Sequence, residues 1–159
     1  MRLSISVAMQ TMSLYSDTDQ LLAEYPVSTA LNGTGSAKNS GKTPLGAHYI
    51  RAKVGVGLPS NAVFVGRRFT TELYTPELAV AHPGRDWILG RILWLSGLEP
   101  GENRLGNVDT MQRYIYIHGT PDIEPMGIPL SHGCIRMRCS DVTELFAKVP
   151  VGTSVNILE

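Results

Sequence analysis

Neither sign of charge predominates in this chain of 159 residues: fourteen Lys and Arg are matched by fourteen Asp and Glu. The balance excludes the broad basic footprint that holds nucleic acid or anionic lipid, so neither is expected as a partner and any ligand must be recognised locally. Cysteine is scarce. Cys134 and Cys139 are too few for a disulfide scaffold and would close only a short loop, so both are expected as free thiols. No apolar run approaches the ~18 residues of a membrane span. Repeats, low-complexity tracts and strand-helix alternation are missing too, which argues against a Rossmann or barrel architecture.

What is present is a chain able to bury a core. At this length one domain, 1–159, is expected, standing without disulfides or metal. Sixteen Gly and ten Pro, scattered along the sequence, imply many turns between short elements. Leu3, Ile5, Val7 and Met9 alternate with Ser4, Ser6 and Ala8, the period of a half-buried strand. Because those polar residues interrupt any continuous apolar stretch, the segment reads as a strand and not a signal peptide. A cytoplasmic location is the expectation, with the periplasm as the alternative if Met1 is not the native start.

Turn chemistry at Asp17-Thr18-Asp19 separates this strand from a second one over Gln20 to Thr29. Asn32 to Lys42 reads as a long polar loop, a candidate for narrowing a ligand subsite. Further strands are predicted around His48 to Val54, Asn61 to Phe69, Trp87 to Ser96, Gln112 to Ile117 and Ser154 to Leu158. One segment changes period. Val142, Leu145, Phe146 and Val149 share a helical face, Ser140 or Asp141 can cap its start with Glu144 completing a capping box, and Pro150 stops it.

The chemistry-bearing residues lie just before that helix. Tyr114-Ile115-Tyr116-Ile117-His118-Gly119-Thr120 ends an apolar strand on a histidine, and Ser131-His132-Gly133-Cys134-Ile135-Arg136-Met137 follows after a short connection. A thiol near backbone N–H groups, with an imidazole to take its proton, makes a nucleophile at neutral pH. The N–H groups around Gly133 and Cys134 would hold a developing oxyanion. The residue types alone leave blander readings open: a packed cysteine, a hydrogen-bonded histidine, or a zinc set of His118, His132 and Cys134 that lacks a second Cys or His pair.

Thr43-Pro44-Leu45-Gly46, His118-Gly119-Thr120 and Ser131-His132-Gly133-Cys134-Ile135-Arg136-Met137, in this order, resemble the L,D-transpeptidase catalytic domain of the YkuD type. The resemblance covers nearly the whole chain. It implies a mainly β fold, an L,D-transpeptidase-like β-sandwich with one short helix after the cysteine, and no cofactor. It implies Cys134 as nucleophile, His118 as its base and the Gly119 carbonyl as the group that orients the imidazole. Ser131, His132, Gly133 and Arg136 would form the substrate-binding and oxyanion side, with Arg136 facing a substrate carboxylate or an internal partner. Cys139 departs from the Asn that relatives tend to carry.

The implied substrate is a peptidoglycan tetrapeptide stem or muropeptide, cleaved between diaminopimelate and terminal D-Ala, and the implied inhibitor is a carbapenem acylating the thiol. Water as acceptor gives an L,D-carboxypeptidase; an amine gives an L,D-transpeptidase or D-amino-acid exchange in the envelope. A cytoplasmic enzyme meets dilute monomeric stems, which favours water. A rival of another class is a non-catalytic module that only holds stem peptides.

Overall fold

The computed structural model describes residues 1–159, and the alternation seen in the sequence is carried into a mainly β fold. β1 (Arg2–Ser6) buries Leu3 and Ile5, β2 (Thr11–Tyr15) buries Met12 and Leu14, and β3 (Leu21–Pro26) follows as the third strand of a meander. The sequence suggested two strands here. The reversal before β2 is made at Gln10, in the left-handed region with φ 51°, without the Gly or Pro that would have announced it.

β4 (Gly46–Val54) is followed by β5 (Ala62–Val65) and β6 (Arg68–Leu73), which divide the single strand expected over Asn61 to Phe69. Their two-residue turn, Gly66-Arg67, has positive φ at both positions, the signature of a tight hairpin. A short helix, α1 (Pro76–Ala81), was not anticipated, so the fold has two helices and not one. Its signals are present nonetheless: the Thr75 side chain accepts from the Leu78 amide, and Pro76 opens the first turn.

β7 (Ile88–Gly97) is the hub of the sheet. β8 (Tyr116–Thr120) lies along one of its edges, while β4 and β5 share the other. β9 (Ile135–Arg138) pairs in parallel with β8, and β10 (Ser154–Leu158) sits between β1 and β4. The ten strands form one hydrogen-bonded sheet. Beyond β3, Ser28 exchanges a pair of 2.9 Å backbone hydrogen bonds with Arg136 on β9. That bridge brings the β3 end of the sheet against β9, so the sandwich consists of two halves of one curled sheet.

α2 (Cys139–Lys148) lies inside the curl. Val142, Leu145 and Phe146 are buried in a core of nineteen residues that also contains Leu3, Ile5, Met12, Leu14, Ile117 and Ile157. Its start carries no side-chain cap, contrary to the expected use of Ser140 or Asp141; Glu144 accepts instead from the Tyr25 hydroxyl and Lys148. The far end is secured from β4. Lys53 Nζ donates to the Phe146 and Val149 carbonyls at 2.7 and 2.8 Å, satisfying acceptors that a helix C-terminus leaves open.

Candidate active site

β8 and β9 set the geometry. Their parallel register places His118 beside Arg136, and both side chains line a cleft of about 470 Å³ together with Cys134. The other walls come from Gly66 and Arg67 of the β5–β6 turn, Asp86 and Ile88 before and in β7, Arg113 to Tyr116, and Ser131 and His132. His118 is 1% exposed. Its Nδ1–H donates to the Gly119 carbonyl at 2.6 Å, which fixes the tautomer and leaves Nε2 as the basic nitrogen. Burial pushes the imidazole below its ordinary 6.5, with the Gly119 carbonyl partly opposing the shift.

Gly119 has a separate reason to lack a side chain. A Cβ there would stand 2.5 Å from the Leu89 carbonyl of β7, inside any tolerable contact. The residue after the histidine must therefore be glycine for β8 to reach β7, and its carbonyl is then placed to orient the ring.

Cys134 precedes β9, and that strand separates it from α2. The helix begins at Cys139, close to the start expected at Ser140 or Asp141, and the amide that meets Sγ is that of Tyr116, at 3.3 Å. The thiol donates to the Tyr114 carbonyl at 3.4 Å. Burial raises its pKa to about 12 against the lowering effect of the Tyr116 N–H. Both shifts favour the neutral thiol and the neutral imidazole.

The Ser131–Cys134 loop is pinned from within and from outside. Ser131 Oγ donates to the Cys134 carbonyl at 2.6 Å and accepts from the Gly133 amide at 3.2 Å, so Ser131 braces the loop. Of the two N–H groups expected to meet an oxyanion, Gly133's is engaged by Ser131, whereas Cys134's has no protein acceptor. From outside, the buried Thr43 hydroxyl donates to the Gly133 carbonyl at 2.9 Å. Gly133 itself has φ 131°, a backbone conformation that L side chains rarely adopt.

His132 and Arg136 converge on a residue that sequence reasoning passed over. Asp86 lies 3.3 Å from Arg136 Nη2 and 3.6 Å from His132 Nδ1. Arg136, 8% exposed, thus has an internal partner and also faces the cleft. Arg67 and Arg113 were missed as well. No short motif marks any of the three: Arg67 and Asp86 reach the cleft from segments remote in sequence, and Arg113 stands directly before the Tyr114 segment but outside the motif. The Asn32 to Lys42 loop is not a wall of the cleft; it grips Arg113, whose Nη2 donates to the Lys42 carbonyl at 2.6 Å. His118, His132 and Cys134 do not gather into a metal-binding cluster. Cys139 lies outside the cleft, its thiol donating to the Thr120 carbonyl at 3.5 Å and raised to about 11 by burial.

Residues 2–157 match the family profile of the YkuD, L,D-transpeptidase catalytic domain. The chain belongs to this family. A 47-residue segment is 47% identical to the probable L,D-transpeptidase YbiS of Escherichia coli, covering 30% of this chain and 15% of that protein. A 43-residue segment is 49% identical to the putative L,D-transpeptidase YqjB of Bacillus subtilis, covering 27% of this chain and 24% of that protein. The matched segments thus span less than a quarter of these relatives. The fold is similar to that of an Enterococcus faecium L,D-transpeptidase, with TM-score 0.59 and 18% identity over 99% of this chain and 49% of that one. It is also similar to the L,D-transpeptidase LdtMt1 in complex with imipenem, with TM-score 0.57 and 17% identity over 98% of this chain and 57% of the other.

Proposed function

We propose that this YkuD-family domain is a cysteine acyl-enzyme acting on peptidoglycan tetrapeptide stems, and that water is its preferred acceptor, making it an L,D-carboxypeptidase of soluble cytoplasmic muropeptides. The observation that carries the reading is one cleft holding the Cys134 thiol, an imidazole pinned at Nδ1, and three guanidiniums, Arg67, Arg113 and Arg136, against a single carboxylate, Asp86.

The steps follow from that arrangement. The thiol turns from the Tyr114 carbonyl and gives its proton to His118 Nε2 as Sγ bonds to the carbonyl carbon of the diaminopimelate residue. Since both shifts favour the neutral forms, thiolate forms during attack instead of being stored as an ion pair. The oxyanion meets the Cys134 N–H. His118 returns the proton to the departing D-Ala nitrogen as the carbon–nitrogen bond breaks, leaving a thioester. Water, losing a proton to His118, then adds to the thioester, and expulsion of the Cys134 sulfur restores the thiol and frees a tripeptide.

The guanidiniums of the cleft suit a donor stem bearing carboxylates. Water is at ~55 M, so an amine must be held at a high effective concentration to compete. Incubation with a disaccharide tetrapeptide and mass spectrometry of the products tests the reading: tripeptide and free D-Ala support it, cross-linked dimer points to an L,D-transpeptidase, and unchanged substrate points to a stem-binding module. Fractionation of the native protein with the envelope would contradict the cytoplasmic part of the proposal.

A further inference from the structure

The hydrogen bonds of the thiol come from two residues of one short segment, Tyr114 through its carbonyl and Tyr116 through its amide. Tyr114 sits in the left-handed region at φ 55°, a conformation uncommon for a bulky side chain that must be held by its surroundings. What holds it comes from the tip of the β5–β6 hairpin. The Arg67 guanidinium lies 4.7 Å from the Tyr114 ring centroid and 4.7 Å from that of Trp94, and its Nη1 donates to the Tyr116 hydroxyl at 2.9 Å. Trp94 adds an edge contact to Tyr116 at 6.2 Å between centroids and anchors its indole N–H on the Met111 carbonyl at 3.2 Å. The two residues whose backbone groups hold the sulfur are therefore the two whose side chains this one arginine grips.

We infer that Arg67 is a positioning residue for the nucleophile: by stacking on Tyr114 and bonding the Tyr116 hydroxyl, it fixes the strand segment whose amide and carbonyl hold Cys134 Sγ in line for His118. A planar guanidinium can stack and donate at once, which a lysine ammonium cannot reproduce. Turn closure alone does not call for an arginine at this position, where φ is 65° and glycine or asparagine is the ordinary occupant. The inference rests on the acyl-enzyme reading only in taking Cys134 as the nucleophile.

The test combines kinetics on the disaccharide tetrapeptide with a readout that needs no substrate, hydrogen exchange of the Tyr116 amide followed by NMR. In Arg67→Ala, kcat is expected to fall about tenfold, the equivalent of one hydrogen bond to a charged group, with KM within about twofold. Exchange at the Tyr116 amide should quicken by a similar factor while core amides such as that of Leu93 stay protected. Arg67→Lys should recover only part of kcat. Tyr116→Phe, which removes one hydroxyl and leaves the ring in place, should reproduce part of the loss, and the double variant Arg67→Ala with Tyr116→Phe should be little worse than Arg67→Ala alone. A rise in KM at unchanged kcat with unchanged exchange would make Arg67 a substrate contact and overturn the inference; strictly additive variants would do the same. If no variant or wild-type protein turns over the substrate, the exchange result still decides the role of Arg67, while the functional reading fails separately.

Discussion

Thr43 and Gly133, ninety residues apart, are joined by a buried hydrogen bond of 2.9 Å from hydroxyl to carbonyl. The same hydroxyl oxygen accepts from the Ala30 amide at 3.0 Å, so Thr43 ties the strand margin at Ala30 to the loop carrying Cys134. This gives the Thr-Pro-Leu-Gly motif a physical role: it sets the height of the nucleophile loop. Thr43→Val keeps the shape and removes both bonds, leaving a buried amide and a buried carbonyl short of a partner. It should destabilise the domain by ~1–3 kcal/mol in denaturant unfolding and slow acylation of Cys134, whereas Thr43→Ser should stay near wild type in both.

The pH dependence follows from two buried histidines. His118 acts as a base only when neutral, and burial lowers its pKa, so the acid limb of kcat/KM should have its midpoint below the ordinary 6.5. Stability moves in the corresponding direction. His48, fully buried between the Gly46 carbonyl and the Thr110 hydroxyl, is lowered as well, chiefly by burial. Below 6.5 the unfolded chain takes up protons that the folded one refuses. The contribution of both residues is therefore complete above that pH and is lost as pH falls beneath it. Urea midpoints measured between pH 7.5 and 5 should decline, and His48→Gln should flatten the decline.

The two thiols should separate in chemistry. A carbapenem should form one covalent adduct, on Cys134, detected by intact mass and peptide mapping. Cys139→Ser should leave adduct formation and turnover nearly unchanged, since a hydroxyl can also donate to the Thr120 carbonyl. Loss of activity in Cys139→Ser comparable to that in Cys134→Ala would contradict the assignment.

Lys53 offers a stability test remote from the cleft. Lys53→Met keeps the aliphatic stem and removes the ammonium that satisfies two carbonyls at the end of α2. A loss of ~1–3 kcal/mol is expected in chemical denaturation, with kcat unchanged.

Much of this architecture is legible in the sequence. Period-two alternation marked β1, and the spacing of Val142, Leu145 and Phe146 marked the buried face of α2. His118-Gly119 and Gly133-Cys134 were visible as short motifs, and the resemblance to the YkuD family joined them into a pair. β2 and α1 were not, the first because Gln10 reverses the chain without a turn residue, the second because six residues are too few to show a period. Arg67, Asp86 and Arg113 stayed hidden for another reason. Each acts through a contact between elements distant in sequence, and pairing of that kind leaves no local pattern to read.

The central claim is an acyl-enzyme on Cys134 that hands its acyl group to water. Its most direct test is product mass spectrometry of wild-type and Cys134→Ala protein with a disaccharide tetrapeptide donor and a D-amino acid in millimolar excess. The account predicts tripeptide and free D-Ala from the wild type, little exchanged tetrapeptide, and no turnover by the variant. Turnover by Cys134→Ala, or exchange and cross-linked products as the main output of the wild type, would contradict it.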